Sequence, residues 1–230
     1  MATNPLDRPV WASLTSAHLG LSVGDGQARR YAPQINRFAS ACDDSDAALD
    51  ALARLVPPSD PVFVLQAPEI RIPAALIAVK RATGVQMVAH AAVAPPAGGR
   101  EEIIELGDAD AAEMLALATL TEPGPFLRET HRMGRFVGIR VEGRLAAMAG
   151  ERFRFPGYTE VSGVCTHPDF RGRGFARQLS RHVAAGIAAR GDTAFLHAWK
   201  NNLAAISLYE ALGFRWRCDM QVAVLDYRAD

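Results

Sequence analysis

The chain has 230 residues, of which 49% are hydrophobic, and its 25 basic and 25 acidic residues leave a formal net charge of zero. That content excludes the disordered class and supports a substantial core in one large or two small domains. Neutrality removes any global electrostatic argument for nucleic acid or an anionic membrane surface as a partner. Cys42, Cys165 and Cys218 are widely spaced and odd in number, which fits reduced thiols in a cytoplasmic protein better than a disulfide framework. Asp7 and Arg8 interrupt the start where a signal peptide would be apolar, and no run of about 18 apolar residues occurs, so neither a secretory signal nor a membrane span is expected.

In chain order, Trp11 to Leu21 reads as a short helix. Ser45 can N-cap a second helix through Leu55, with Leu49, Leu52 and Leu55 along one side and Pro57-Pro58 stopping it. Val62–Leu65 and Val85–Ala91 read as short strands. Pro95-Pro96-Ala97-Gly98-Gly99-Arg100 can form neither helix nor strand interior and reads as a linker. It divides an N-terminal region, 1–100, from a C-terminal region, 101–230. No catalytic motif stands in the first region.

Beyond the linker, Ile103–Leu106 is a strand. Asp108 or Asp110 starts a helix carrying Met114, Leu115, Leu117 and Leu120, and Phe126–Met133 forms a second, weaker one. Phe136–Val141, the Glu142-Gly143 turn and the run from Arg144 make a hairpin. Tyr158–Thr166 is the next strand. Phe175, Leu179, Val183 and Ile187 recur every four residues and give the following helix one apolar face. Ala194–Trp199 is a strand, Asn202–Leu212 a helix with Gly213 as its C′ stop, and Arg215–Arg217 and Gln221–Tyr227 two final strands. The order is β-α-α-β-β-β-α-β-α-β-β, a mixed α/β sheet.

The stretch Val164 to Ala176 carries the chemistry. A strand runs into a glycine-punctuated loop that opens a helix, so backbone N–H groups and the helix N-terminus converge on one point suited to a pyrophosphate. A Walker loop is excluded, since no Gly-x4-Gly-Lys-Ser/Thr run occurs. A dinucleotide fingerprint fails as well: position 177 is Arg rather than Gly, and Asp192 precedes the next strand instead of ending it. Arg173, Arg177 and Arg181 fall on one face of the helix, which suits a polyanion, although an ordinary solvated face is the better account of Arg181 and Arg190. The six histidines show no metal spacing.

Arg171, Gly174 and Ala176 satisfy Arg/Gln-x-x-Gly-x-Gly/Ala, which resembles the acetyl-CoA pyrophosphate loop of the GNAT superfamily of N-acetyltransferases. Downstream, Asn202, Ala205, Tyr209, Glu210, Gly213 and Phe214 fit that superfamily's late-helix pattern Asn-x-x-Ala-x-x-x-Tyr-Glu-x-x-Gly-Phe. The resemblance covers roughly 101–230 and implies the GNAT fold, acetyl-CoA as co-substrate and no metal. It leaves residues 1–100 as a degenerate half of the same fold, a cap over the acceptor site or a dimer surface.

The resemblance also implies roles. Arg171, Gly172, Arg173, Gly174, Phe175 and Ala176 would meet the pyrophosphate. Val164, Cys165 and Thr166 would act through backbone N–H groups at a β-bulge, against the thioester carbonyl and the pantetheine. Cys165 reads as a small core residue ahead of a nucleophile. Glu160 would be a general base, its pKa raised by partial burial, or else a surface carboxylate at a strand end. Tyr209 would be the acid that protonates the CoA sulfur, or an amphipathic lining residue. Asn202 would bond the pantetheine, cap its helix, or both. His197 could face the acceptor groove or be a satisfied core histidine; Trp199 and Lys200 end the same strand as further substrate-contact candidates. The activity implied is transfer of an acetyl group to a primary amine, of a small molecule or a peptide, by direct attack in a ternary complex. A CoA-binding regulatory or scaffolding module without turnover is the alternative, and a homodimer is left open.

Overall fold

The computed structural model describes residues 4–91, 93 and 101–227; the expected linker at 95–100 lies outside them. In chain order the elements are α1 (Pro9–Leu14), β1 (Ser22–Gly24), β2 (Ala28–Tyr31), β3 (Ala39–Ala41), α2 (Asp46–Leu55), β4 (Val62–Gln66) and β5 (Leu76–Ala89). There follow β6 (Ile104–Leu106), α3 (Ala111–Thr121), β7 (Phe136–Val141), β8 (Arg144–Phe155), β9 (Tyr158–Thr166), α4 (Phe175–Ala189), β10 (Thr193–Trp199), α5 (Leu203–Ala211) and β11 (Phe214–Tyr227). β1, β2 and β3 form a small antiparallel sheet, and the other eight strands form one sheet in the order β4-β11-β5-β10-β9-β8-β7-β6.

Local chemistry explains most boundaries. Ser45 accepts the Ala48 N–H and caps α2, as its position before an apolar stripe requires. Asn202 caps α5 by accepting the Ala205 N–H at 3.1 Å, and Gly213, at φ +94°, ends it. The helix expected over Trp11–Leu21 is two pieces, α1 and a 3-10 turn at Leu19–Leu21. Thr15 and Ser16 turn their hydroxyls back onto the Trp11 and Ala12 carbonyls, the side-chain competition that disfavours helix continuation. The helix expected over Phe126–Met133 is a single 3-10 turn, Thr130–Met133; Thr130 Oγ1 takes the Leu127 N–H and donates to the Ile35 carbonyl, which spends that segment's polar groups on tertiary bonds.

Two further expectations are corrected. The two final strands are one, β11, fourteen residues long, with a register shift between Trp216 and Cys218 that absorbs the polar interruption. The sheet also crosses the boundary drawn at residue 100. β5 pairs with β10 on one side and β11 on the other, both antiparallel, and β4 pairs with the outer edge of β11. Two strands of the first hundred residues are thus hydrogen-bonded members of the main sheet.

Each face of that sheet has its own cover. α4 and α5 pack Phe175, Leu179, Val183, Ile187, Ile206 and Tyr209 onto one face. The N-terminal segment packs Leu6, Val10, Leu14, Tyr31 and Phe38 onto the other, against Phe153, Phe155 and Phe195. α3 closes a smaller cluster with Phe136, Met148 and Cys165.

The β7–β8 pair shows how tight this packing is. Phe136 lies opposite Gly150, and a Cβ on Gly150 would sit 2.4 Å from the Phe136 ring. Gly150→Ala is therefore expected to cost about 1–3 kcal/mol by overpacking, lowering the calorimetric melting temperature by roughly 3–10 °C for a chain of this size. Adding Phe136→Leu should recover more than half of the loss; an unchanged melting temperature for the single variant would show that the ring moves freely.

Candidate active site

β9 and β10 are parallel and paired only at Tyr158–Glu160 with Thr193–Phe195. Both strands run on, to Thr166 and Trp199, but without pairing, so the sheet opens in a V beyond Glu160. Two cavities occupy this opening. The first, about 790 Å³, is lined by Val164–Thr166, Phe170–Arg177, Asn202 and Tyr209. The second, about 260 Å³, is lined by Phe38, Phe63 and Leu65 from the N-terminal region, Glu122, Arg152, Val161–Val164, His197–Trp199 and Tyr209. Thr121, Val164, Asn202, Ala205 and Tyr209 line both, so the cavities meet at the gap.

The larger cavity gathers the predicted loop. Gly172 and Gly174 have φ of +79° and +81°, the left-handed region in which glycine costs least. Gly174 is the N-cap of α4 and no side chain among the described residues caps that end, leaving the first-turn N–H groups open to an anion. Arg171 and Arg173 are exposed at the rim, and the Arg173 guanidinium lies 5.2 Å from the Phe170 ring centre. Thr166 Oγ1 is buried without a hydrogen-bond partner among the described residues. An orphaned hydroxyl, free helix N–H groups and arginines on one wall fit a phosphate-bearing co-substrate with an extended polar arm.

β9 is bulged where the resemblance implied. Cys165 faces Met148 and Ser162 faces Gly150 across the β8–β9 ladder, so Gly163 and Val164 stand against one residue of β8. Gly163 has φ +63°. Burial pushes the Cys165 thiol up to about 11, so a thiolate nucleophile at neutral pH is excluded there. Tyr209 is buried at the junction, and desolvation pushes its phenol up to about 12, partly opposed by Ser180. It stays protonated throughout the neutral range and so has an O–H to donate.

Glu160 corrects the expectation of a carboxyl with a raised pKa. Its side chain is 0% exposed, and Arg152 donates to both its oxygens, Nε to Oε2 and Nη2 to Oε1, each at 2.7 Å. The Phe153 N–H donates to Oε2 at 3.3 Å and His197 Nδ1 to Oε1 at 2.6 Å. Burial alone would raise its pKa, but the Arg152 charge and hydrogen bonds, with those of His197, reverse that and bring it down to about 2. It does not line the smaller cavity, and its lone pairs are taken. Because an ionised carboxylate only accepts, His197 carries its proton on Nδ1, and Nε2 accepts from Gln86 Nε2 at 3.1 Å. His197 is thus both readings at once, satisfied and groove-lining. Lys200 pairs instead with Asp219 at 2.6 Å and does not line the smaller cavity.

Sequence reasoning missed Arg152. A second bulge places Arg152 and Phe153 together opposite Glu160, between the Glu151–Val161 and Arg154–Thr159 pairs, and re-aims the guanidinium into the V. The only trace in the sequence is the Arg-Phe-Arg-Phe alternation of 152–155, which suggests one shared face for both arginines. Phe38, Phe63 and Leu65 were unreadable as site residues because no local signal says what they face.

The fold is a mixed α/β sheet opened between β9 and β10 with two cavities in the gap, and comparison with known proteins supplies the family. A family model described as FR47-like protein matches residues 136–223. The crystal structure of a putative acetyltransferase from the GNAT family of Novosphingobium aromaticivorans is 43% identical, covering 99% of this chain and 100% of that one at a TM-score of 0.91. A GCN5-related N-acetyltransferase from Kribbella flavida shares the fold at 18% identity and a TM-score of 0.65, over 97% of this chain and 96% of that one. The [ribosomal protein bS18]-alanine N-acetyltransferase of Salmonella typhimurium is 42% identical over 52 residues, 22% of this chain and 35% of that protein, so the match spans about a third of that relative. The chain belongs to the GNAT superfamily and is an acetyltransferase of that family.

Glu160 is held far below the unfolded carboxylate value of about 4.3, so its contribution to stability is present above that value and lost as pH falls through the folded one, an effect of about 3 kcal/mol. Glu160→Gln, which also leaves Arg152 buried without its counter-charge, should cost about 3–5 kcal/mol at pH 7. In urea unfolding the gap between wild type and variant should narrow as pH falls from about 4.5 toward 2; a gap constant between pH 5 and 3 would contradict the ion pair.

Proposed function

We propose that the protein transfers the acetyl group of acetyl-CoA to an amine by direct attack in a ternary complex. The observation that carries this reading is the meeting of the two cavities at Val164, Asn202 and Tyr209, which lets a thioester arm and an acceptor reach one point from opposite sides. The α4 N-terminus and the glycine loop would hold the pyrophosphate, and Thr166 and Asn202 the pantetheine arm. The Val164 N–H, released by the bulge, would hold the thioester oxygen as it gains charge. Tyr209 would donate to the departing sulfur. A thiol pKa of about 8.5 makes that a modest demand. Glu160 would position rather than accept protons, fixing Arg152 and His197 beneath the acceptor. A cytoplasmic location accompanies this reading, supported by the partial match to an enzyme named for a ribosomal-protein substrate.

Titration calorimetry with acetyl-CoA is expected to give micromolar binding that Gly174→Asp abolishes, by placing a carboxylate where the phosphates lie. No binding by the wild type would overturn the reading. Tyr209→Phe should lower kcat about 10- to 100-fold in a thiol-release assay while leaving acetyl-CoA affinity within about threefold. Acetyl-CoA binding without turnover on any amine would favour the non-catalytic CoA-binding module.

A further inference from the structure

We propose that Arg152 reads the acceptor: it selects an amine that carries a carbonyl oxygen on the adjacent carbon, an α-aminoacyl group such as a peptide N-terminus, with an apolar side chain. The inference rests on the acetyltransferase reading above and adds the acceptor class to it.

Arg152 is 12% exposed by side chain, and its guanidinium lies over the Phe38 and Phe153 rings, at 4.9 and 4.5 Å from their centres. Nε and Nη2 are committed to Glu160. Nη1 makes no hydrogen bond among the described residues and is not among the enclosed orphan atoms, and Arg152 lines the acceptor cavity. The fork is therefore fixed in plane, direction and charge, with one N–H pair left to the cavity. A donor held this rigidly suits a carbonyl or carboxylate oxygen, with little side-chain entropy left to lose.

The rest of the cavity agrees. Phe38, Phe63, Leu65 and Val222 make an apolar wall. Glu122 lines the same cavity with φ +49°, a left-handed conformation costly for a residue with a side chain, and has no ion-pair partner among the described residues. Its carboxylate is available to an incoming ammonium. Glu160 is committed to Arg152 and His197, which leaves the Glu122 carboxylate in this lining, and an α-amino group, with a pKa of about 8, needs far less help than a lysine at about 10.4.

The test is calorimetry on the full chain saturated with CoA, using alanine, leucine and phenylalanine amides, each beside the amine of the same side chain without the carbonyl: ethylamine, 3-methylbutylamine and 2-phenylethylamine. At least one amide should bind about tenfold or more tighter than its partner amine, as a charge-assisted hydrogen bond implies, and Arg152→Lys should reduce that advantage to about twofold or less. Equal binding within all three pairs, no binding by any amide, or a preference that survives Arg152→Lys overturns the proposal. The wild-type pairs decide the point if the variant does not fold. The free amino acids and a Leu-Gly-Gly peptide separate sources: tighter binding of the acid points to free amino acids, tighter binding of the peptide to a polypeptide N-terminus. Acetylation of amide and amine at equal efficiency would sink the proposal and leave the acetyltransferase reading standing. Arg152-dependent binding without acetyl transfer would do the reverse.

Discussion

The Arg152–Glu160 pair occupies the crotch of the opened sheet, and both cavities depend on it. Glu160 is the last residue of β9 that pairs with β10. Beyond it the strands part, and their edge groups turn toward the cavities rather than each other. Sinking a carboxylate at such a point costs several kcal/mol in lost hydration. Two guanidinium hydrogen bonds, a backbone N–H and the His197 ring offset that cost. The arrangement stays ionised at neutral pH, so the charges act as a fixed wedge rather than as groups that trade protons with a substrate.

The two bulges of the β8–β9 ladder divide the labour. The one at Gly163–Val164 lies between the two cavities, with Gly163 lining the smaller and Val164 both, and sets two residues of β9 against one of β8. The one at Arg152–Phe153 lies one turn of pleat further down and swings a side chain into the smaller cavity. Without the second bulge, strand alternation would keep Arg152 and Arg154 on one face. With it, Arg152 is nearly enclosed while Arg154 is exposed. A single extra residue in β8 thereby converts a pattern typical of a solvated strand edge into an enclosed cation. Phe153, displaced with it, supplies both a ring beneath the guanidinium and an N–H for Glu160.

What was legible in the sequence is what depends on local conformation. The Arg171–Ala176 loop needs left-handed glycines and a helix start, and both are written in consecutive residues. The caps at Ser45 and Asn202 and the stop at Gly213 are equally local. Features that depend on pairing between distant segments were not legible. Nothing within Leu76–Ala89 states that it inserts between β10 and β11, and nothing within Phe214–Tyr227 states that a register shift will carry one strand through a polar interruption. Arg152 escaped for the same reason, because its role is set by a mismatch in length between two strands. Glu160 was found by position and misjudged by chemistry, since its partners lie on two other strands.

The insertion of β5 explains how the first hundred residues come to matter at the site. β5 sets the edge against which β10 runs as it leaves β9, through the pairs Phe195–Val88 to Trp199–Gly84. Gln86 on β5 binds His197 on one side and Arg217 of β11 on the other, and reaches the Leu6 carbonyl. A polar chain therefore runs from the N-terminal segment through the sheet to Glu160. Phe38 and Phe63, joined by a backbone bridge between the small sheet and β4, complete the wall opposite. The larger cavity is built from residues after 120, and the smaller one is closed by residues before 90. The glycine loop carries its signature in consecutive residues, while the wall of the smaller cavity is set by Phe38, Phe63 and Leu65 in a region that carries no motif, so the two can vary independently.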